Sequence, residues 1–243
     1  MSVARARAAP TLGTSTRDPA VAQMFADLAP EYDRMNAVIT FGLAQSWRRE
    51  LVRLAMPACN CLDLGCGTGD LTEAILALDP GATVTGFDLT HSMLQGARTR
   101  IASAHLSARA GLVEGDAERL PFRDGAFDTV VSSFLMRNVG DRAAAYRDIA
   151  RVLKPGGRFL QLELAKPDNA FVRAAYLLYF HQGMPRLASL FSRQQDSFQY
   201  LSESIDRWPQ PAAVADEIRA GGFARVERAH LLFGGVAIHT AWK

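Results

Sequence analysis

The stretch Asn60-Cys61-Leu62-Asp63-Leu64-Gly65-Cys66-Gly67-Thr68-Gly69 runs an apolar segment into a loop with glycine at every second position. A short apolar run stopped by glycines reads as a buried strand. The residues that follow, Asp70 to Leu78, place Leu71, Ile75 and Leu78 on one face of a helix. Strand, glycine loop and helix in that order put a ligand site at the carboxyl end of a strand in an open α/β sheet.

The same alternation continues outward. Thr83 to Phe87 reads as a second strand ending at Asp88, with a helix from His91 to Ala108 and a third strand from Gly111 to Glu114. Phe127 to Ser132 is a fourth strand, Arg142 to Leu153 a helix stopped by Lys154-Pro155-Gly156-Gly157, and Arg158 to Leu164 a fifth strand. Arg225 to Leu232 and Val236 to Trp242, separated by Phe233-Gly234-Gly235, form a hairpin signal. The expected fold is α/β: a doubly wound, mostly parallel seven-stranded sheet with an antiparallel C-terminal hairpin. Upstream, Pro19 to Leu28 and Trp47 to Ala55 read as helices.

Residues 1–18 read as a disordered tail, although the acid-free, Ala- and Arg-rich start also has the bias of a transit peptide. Residues 19–243 read as a single domain, with a helical insertion on the substrate side at about 167–207. In that insertion Phe171 to Phe180 is apolar nearly all round, and Pro185 is expected to interrupt or kink it.

Bulk properties set limits. The 243 residues are 49% hydrophobic and 21% charged, with a formal charge of +2. That balance lacks the basic excess of a nucleic-acid binder. Cys59, Cys61 and Cys66 read as reduced thiols of a cytoplasmic protein, with no histidine near them at metal-ligand spacing. No stretch is apolar for long enough to span a bilayer.

The acids around the loop narrow the ligand. A dinucleotide fingerprint has glycine three residues beyond its second glycine, and here Asp70 stands there, opposing a pyrophosphate. S-adenosyl-L-methionine (SAM) has no phosphate but carries a sulfonium and an amino group, which acids favour. Gly65 and Gly67 allow close backbone approach, and Asp63 suits the cationic end. Asp88 suits the ribose hydroxyls, with helix capping as its bland alternative, for which Thr90 is an equal candidate. Asp116 can accept from the adenine amine while the Ala117 amide meets a ring nitrogen, and Ser133 ends the fourth strand beside the expected methyl position.

At this point the chain resembles the C-methyltransferases of menaquinone and ubiquinone biosynthesis. The resemblance runs from about Phe25 to Lys243, through Tyr32-Asp33-Arg34-Met35-Asn36, Asp116-Ala117-Glu118-Arg119-Leu120-Pro121-Phe122, Arg137-Asn138-Val139 and Tyr200-Leu201-Ser202-Glu203-Ser204-Ile205. It implies SAM as cofactor, with Thr68, Asp88, Asp116, Ala117 and Ser133 aligned to the family's cofactor contacts. It also implies C-methylation of a prenylated hydroquinone, demethylmenaquinol first. The alternatives are a benzoquinol of the ubiquinone pathway, another small aromatic or polyketide acceptor, or a SAM-binding protein without transfer activity. Phe134-Leu135-Met136 and Phe198 depart from the family pattern on the substrate side.

His181 is the first candidate for a general base, with a structural histidine as its equal alternative; Tyr32 and Arg137 are second candidates for substrate contact. A polyprenyl acceptor implies peripheral contact at the inner face of the membrane, through the apolar stretch Tyr176 to Phe180. The oligomeric state is left open, a homodimer included.

Overall fold

The computed structural model describes residue 15, residues 17–184, residue 186 and residues 195–243. Most of the expected tail, and the kink expected at Pro185, lie outside the described residues.

Seven strands form one sheet: β1 (Asn60–Leu64), β2 (Thr83–Asp88), β3 (Ala110–Glu114), β4 (Phe127–Ser133), β5 (Leu153–Leu164), β6 (Arg225–Leu231) and β7 (Val236–Trp242). Their spatial order is β3-β2-β1-β4-β5-β7-β6. The first five pair in parallel, and β7 runs antiparallel to both β5 and β6. The order turns back between β1 and β4, so the glycine loop opens at the switch point where such sheets hold their ligands.

The helices are α1 (Pro19–Leu28), α2 (Tyr32–Ile39), α3 (Leu43–Ala55), α4 (Asp70–Leu78), α5 (His91–Ser103), α6 (Arg142–Val152), α7 (Ala170–Leu178), α8 (Gln195–Arg207) and α9 (Pro211–Ala220). Successive side chains of a strand face opposite ways, and the core divides accordingly. On one face Cys61, Val131 and Leu160 pack with Trp47 and Leu51 of α3 and Ile75 of α4. On the other, Leu62, Val130 and Phe159 pack with Tyr146 and Ile149 of α6 and Ile218 of α9. α1 starts at Pro19 as expected, and Asp18, assigned to the tail, caps it: its carboxylate accepts from the Ala20 amide at 2.8 Å.

Several boundaries differ from expectation. α2 was not anticipated, because a short, polar helix carries little periodic signal. β5 starts at Leu153 rather than Arg158, since Leu153 already pairs with Phe127 across an irregular register. α5 ends at Ser103, and the chain turns at His105, whose φ is 58°. After α7 the backbone widens into a π-helical turn over Tyr179–Gly183.

Candidate active site

The loop after β1 is folded over the end of β2. The amides of Gly65 and Cys66 both donate to the Phe87 carbonyl, at 2.7 and 3.1 Å. This fold needs positive φ at Gly65 (73°), Gly67 (53°) and Gly69 (84°). Space is as restrictive as conformation: a Cβ on Gly65 would lie 2.9 Å from Leu135, and one on Gly69 would lie 3.0 Å from the Ala97 Cβ.

Asp88 closes this arrangement. Its Oδ2 accepts from the Gly67 amide and its Oδ1 from the Thr90 amide, each at 2.9 Å. Thr90 is the N-cap of α5, so the carboxylate ties that helix start to the loop. Burial pushes the Asp88 carboxyl above its ordinary range, and the amide hydrogen bonds oppose this.

Between these elements lies a cleft of about 620 Å³, including its open mouth. Gly65, Gly67, Asp88, Ala117 and Ser133 all line it, so five of the residues named from sequence meet in one place. Tyr32 joins them from α2. Among the described lining residues Asp88 is the only charged one, and no cationic side chain is present to receive a phosphate.

The other sequence candidates sit outside the lining. Asp63 is buried beneath the loop, where its Oδ2 accepts from the Thr72 hydroxyl at 2.6 Å and its Oδ1 has no partner. Burial pushes its carboxyl up to about 7, Thr72 opposes the rise, and the neighbouring Asp88 adds to it. Asp116 lies next to the cleft residues Gly115 and Ala117, but its Oδ2 accepts from Arg17 Nε at 2.6 Å. Arg17 Nη1 also reaches Glu118 Oε2 at 2.7 Å, so a residue assigned to the tail lies against the expected adenine end.

Asp70 does not carry the free charge that the pyrophosphate argument assumed. Arg48 and Arg100 both pair with it at 3.0 Å, and Gln45 donates to it at 2.7 Å.

His181 lies in the π-helical turn with its side chain 44% exposed, and its Nε2 is 3.3 Å from Asp206 Oδ1. It does not line the cleft. The polar groups close to the cleft lie elsewhere. Arg137 and Glu163 form a buried ion pair at 2.8 Å, and Arg137 Nη1 also donates to the Phe134 carbonyl at 2.9 Å. Arg137 Nε is buried without a partner. Phe134, with φ 60°, lines the cleft, and the guanidinium carbons of Arg48 and Arg137 lie 5.6 and 5.8 Å from its ring centre. Tyr200 donates to Asn138 Oδ1 at 3.2 Å, and Asn138 lines the cleft.

Asn138, Tyr200 and Glu163 were not singled out from sequence as site residues, and Phe134 only as a departure from the family pattern on the substrate side. An apolar pair, Phe134-Leu135, directly after a strand-ending serine was the available signal, since a strand end in such a sheet faces the ligand.

The residues fit SAM. The glycine loop lacks room for a Cβ at Gly65 and Gly69, an acid at the end of β2 faces the cleft, and the buried Asp63 Oδ1 and Ser133 Oγ are both unpartnered. Fold and cleft together define a class I SAM-dependent methyltransferase. Solved structures share the architecture: a possible histamine N-methyltransferase from Thermotoga maritima superposes with a TM-score of 0.65 at 19% identity, covering 91% of this chain and 99% of that one. The putative methyltransferase in complex with the Trm112 activator of Haloferax volcanii gives 0.64 at 20% identity, covering 90% and 96%.

A model of the ubiE/COQ5 methyltransferase family matches residues 13–243, and the chain belongs to that family. Relatives from Shewanella sp. strain W3-18-1 and Shewanella baltica strain OS155 are each 37% identical over 227 residues, covering 92% of this chain and 90% of theirs. Both are named ubiquinone/menaquinone biosynthesis C-methyltransferase.

Proposed function

We propose that this methyltransferase acts on a ring carbon of a prenylated hydroquinone in respiratory quinone biosynthesis, with demethylmenaquinol as acceptor. The observation that carries the reading is similarity over nearly the whole chain to relatives named as quinone C-methyltransferases. The cleft is compatible with it: no cationic side chain is among its described lining residues, Phe134 forms part of its wall, and the buried Arg137 lies against that ring.

When bound, SAM supplies an electrophilic methyl group. The chain's own residues hold and shield the reactants. Asp88 and the Ala117 backbone, which line the cleft, would hold the nucleoside, the unpartnered Ser133 oxygen would face it, and Asp63 would act on the cationic end from beneath the loop. On the acceptor side, the buried Arg137 guanidinium lies against the Phe134 ring, and its nearby positive charge would favour the ionised form of a ring hydroxyl held in front of that ring. Ionisation drives electron density onto the adjacent ring carbon, which makes that carbon the nucleophile; after methylation that carbon would lose its proton to solvent as the ring regains aromaticity. Phe134 and Leu135 exclude water, and alignment of this kind is worth about 7–11 kcal/mol at best.

The test is methyl transfer from labelled SAM to reduced demethylmenaquinol and to a ubiquinone-pathway benzoquinol in parallel, with products identified by mass. Label on a ring carbon of the naphthoquinol supports the reading. Transfer to the benzoquinol alone moves the protein to the other pathway, and transfer to neither overturns the acceptor class.

A prenylated acceptor resides in a bilayer, so the proposal includes peripheral contact with the membrane at the inner face. No helix among the described residues is long and apolar enough to cross one. α7 presents exposed Phe171, Ala174, Ala175 and Leu178 at helical spacing, and Phe233 is 88% exposed on the hairpin turn. Tyr176 of α7 donates to the Gly235 carbonyl at 3.1 Å, which holds that turn beside the helix. Replacing Phe171, Leu178 and Phe233 with serine is expected to abolish liposome binding; unchanged binding removes this part.

A further inference from the structure

Two adjacent residues of α2 do opposite jobs. Tyr32 lines the cleft, and its Cε1 is 4.0 Å from the place a Cβ on Gly67 would take. Asp33 turns away from it, toward the outside of the glycine loop. Its Oδ1 accepts from the Thr68 hydroxyl at 2.8 Å, and its Oδ2 accepts from Arg100 Nη2. Arg100 Nε in turn donates to the Thr68 carbonyl at 2.9 Å. A residue of α2, one of the loop and one of α5 thereby close a ring of hydrogen bonds.

Thr68 itself is oriented by this ring. Its side chain is buried, with Cγ2 3.5 Å from where a Cβ on Gly96 of α5 would sit. Methyl toward α5 and hydroxyl toward Asp33 leave nothing of it in the cleft lining. Arg100 has further partners in Asp70 at 3.0 Å and Glu73 at 3.3 Å. The N-terminal helices have further anchors as well, since Ser92 Oγ donates to the Ala26 carbonyl at 3.2 Å and Phe25 meets Tyr200 edge-on.

We propose that Asp33 is a positioning residue: through Thr68 and Arg100 it pins α2 so that Tyr32 roofs the glycine loop. On this assignment the Thr68 hydroxyl serves cofactor binding as the anchor of the roof, without touching the cofactor. Freed of the pin, α2 and Tyr32 lift from the loop, and the cofactor leaves faster while the sheet beneath is unchanged.

The experiment measures SAM affinity by calorimetry and thermal midpoints for Asp33→Asn, Thr68→Val, their double variant and Thr68→Ser in the full chain. Acceptor turnover is not needed, so the result is independent of the proposed acceptor. Each of D33N and T68V is expected to weaken SAM binding about tenfold, the effect of one lost charge-assisted contact. The double variant is expected to be no weaker than the worse single one, because both remove the same link. T68S keeps the hydroxyl and is expected to bind as the parent does. Should D33N lose a cooperative melt, R100K makes the same comparison, keeping the charge that Asp70 and Glu73 need. Parent-like binding by D33N beside weakened T68V means that Thr68 contacts the ligand itself and overturns the proposal, as do additive losses in the double variant.

Discussion

The Thr72 hydroxyl donates to one oxygen of Asp63 at 2.6 Å and leaves the other buried and unpartnered directly beneath the glycine loop. The arrangement half satisfies a carboxyl that burial already holds up to about 7, against an ordinary 3.8. The folded state therefore keeps a proton that the unfolded chain releases. The stabilising contribution is complete below about 3.8 and is lost as pH rises through about 7. Asp63→Asn does not titrate, so its stability advantage over the ligand-free parent is expected to grow from pH 4 to 7 and then level off. Denaturant unfolding at stepped pH checks this, and a pH-independent gap contradicts it. The same variant is expected to bind SAM more weakly above about pH 7, where the parent carries a carboxylate charge beneath the loop that asparagine lacks.

Gly65→Ala tests the cradle. The residue has φ 73°, and its Cβ would meet Leu135 at 2.9 Å. Backbone strain alone costs on the order of 1–3 kcal/mol, and the displaced Leu135 narrows the cleft. SAM binding weakened at least tenfold is the expected calorimetric result; an affinity equal to the parent's means the loop yields more easily than its packing implies.

How much of this was legible in the sequence depends on the range over which each signal acts. β1, the glycine loop and Asp88 follow from adjacent residues obeying local rules, and the structure brings them together as read. The Lys154–Gly157 segment misled because proline and glycine end a helix, yet do not forbid a strand from starting at Leu153. Thr68 was legible as important but not in its direction: only the folded chain shows Asp33, 35 residues earlier, as its partner. Arg137 and Glu163 lie 26 residues apart, and two charges in sequence give no sign that folding will bury them together. The Arg17 contact with Asp116 joins residues 99 apart and has no local signal at all.

Glu163→Ala is expected to strip Arg137 of its counter-charge inside the protein. Breaking one side of a buried pair costs about 3–5 kcal/mol, so the urea midpoint should fall sharply. Replacing both together, R137M with E163L, is expected to recover part of that loss while abolishing turnover. A double variant no more stable than E163A shows that packing at this site, rather than the stranded charge, sets the cost.

His181→Ala is expected to retain near-parent turnover and SAM affinity. Its ring is paired with Asp206 and half exposed, outside the cleft. Steady-state assays with the quinol acceptor decide the matter, and an inactive variant that still binds SAM restores His181 as the base.

Leu135 is the flexible side chain nearest the cradle at Gly65, and it also lines the cleft. Its Cβ and both terminal methyls lie within 3.0 Å of the missing Cβ. At Gly69 the opposing atoms are the short side chain and backbone of Ala97, which cannot be trimmed in the same way. The loop thus has one hard side and one adjustable side. Shortening Leu135 to alanine carves a hole at the adjustable side, and the variant becomes a natural starting point for pairing this enzyme with enlarged SAM analogues that the parent excludes.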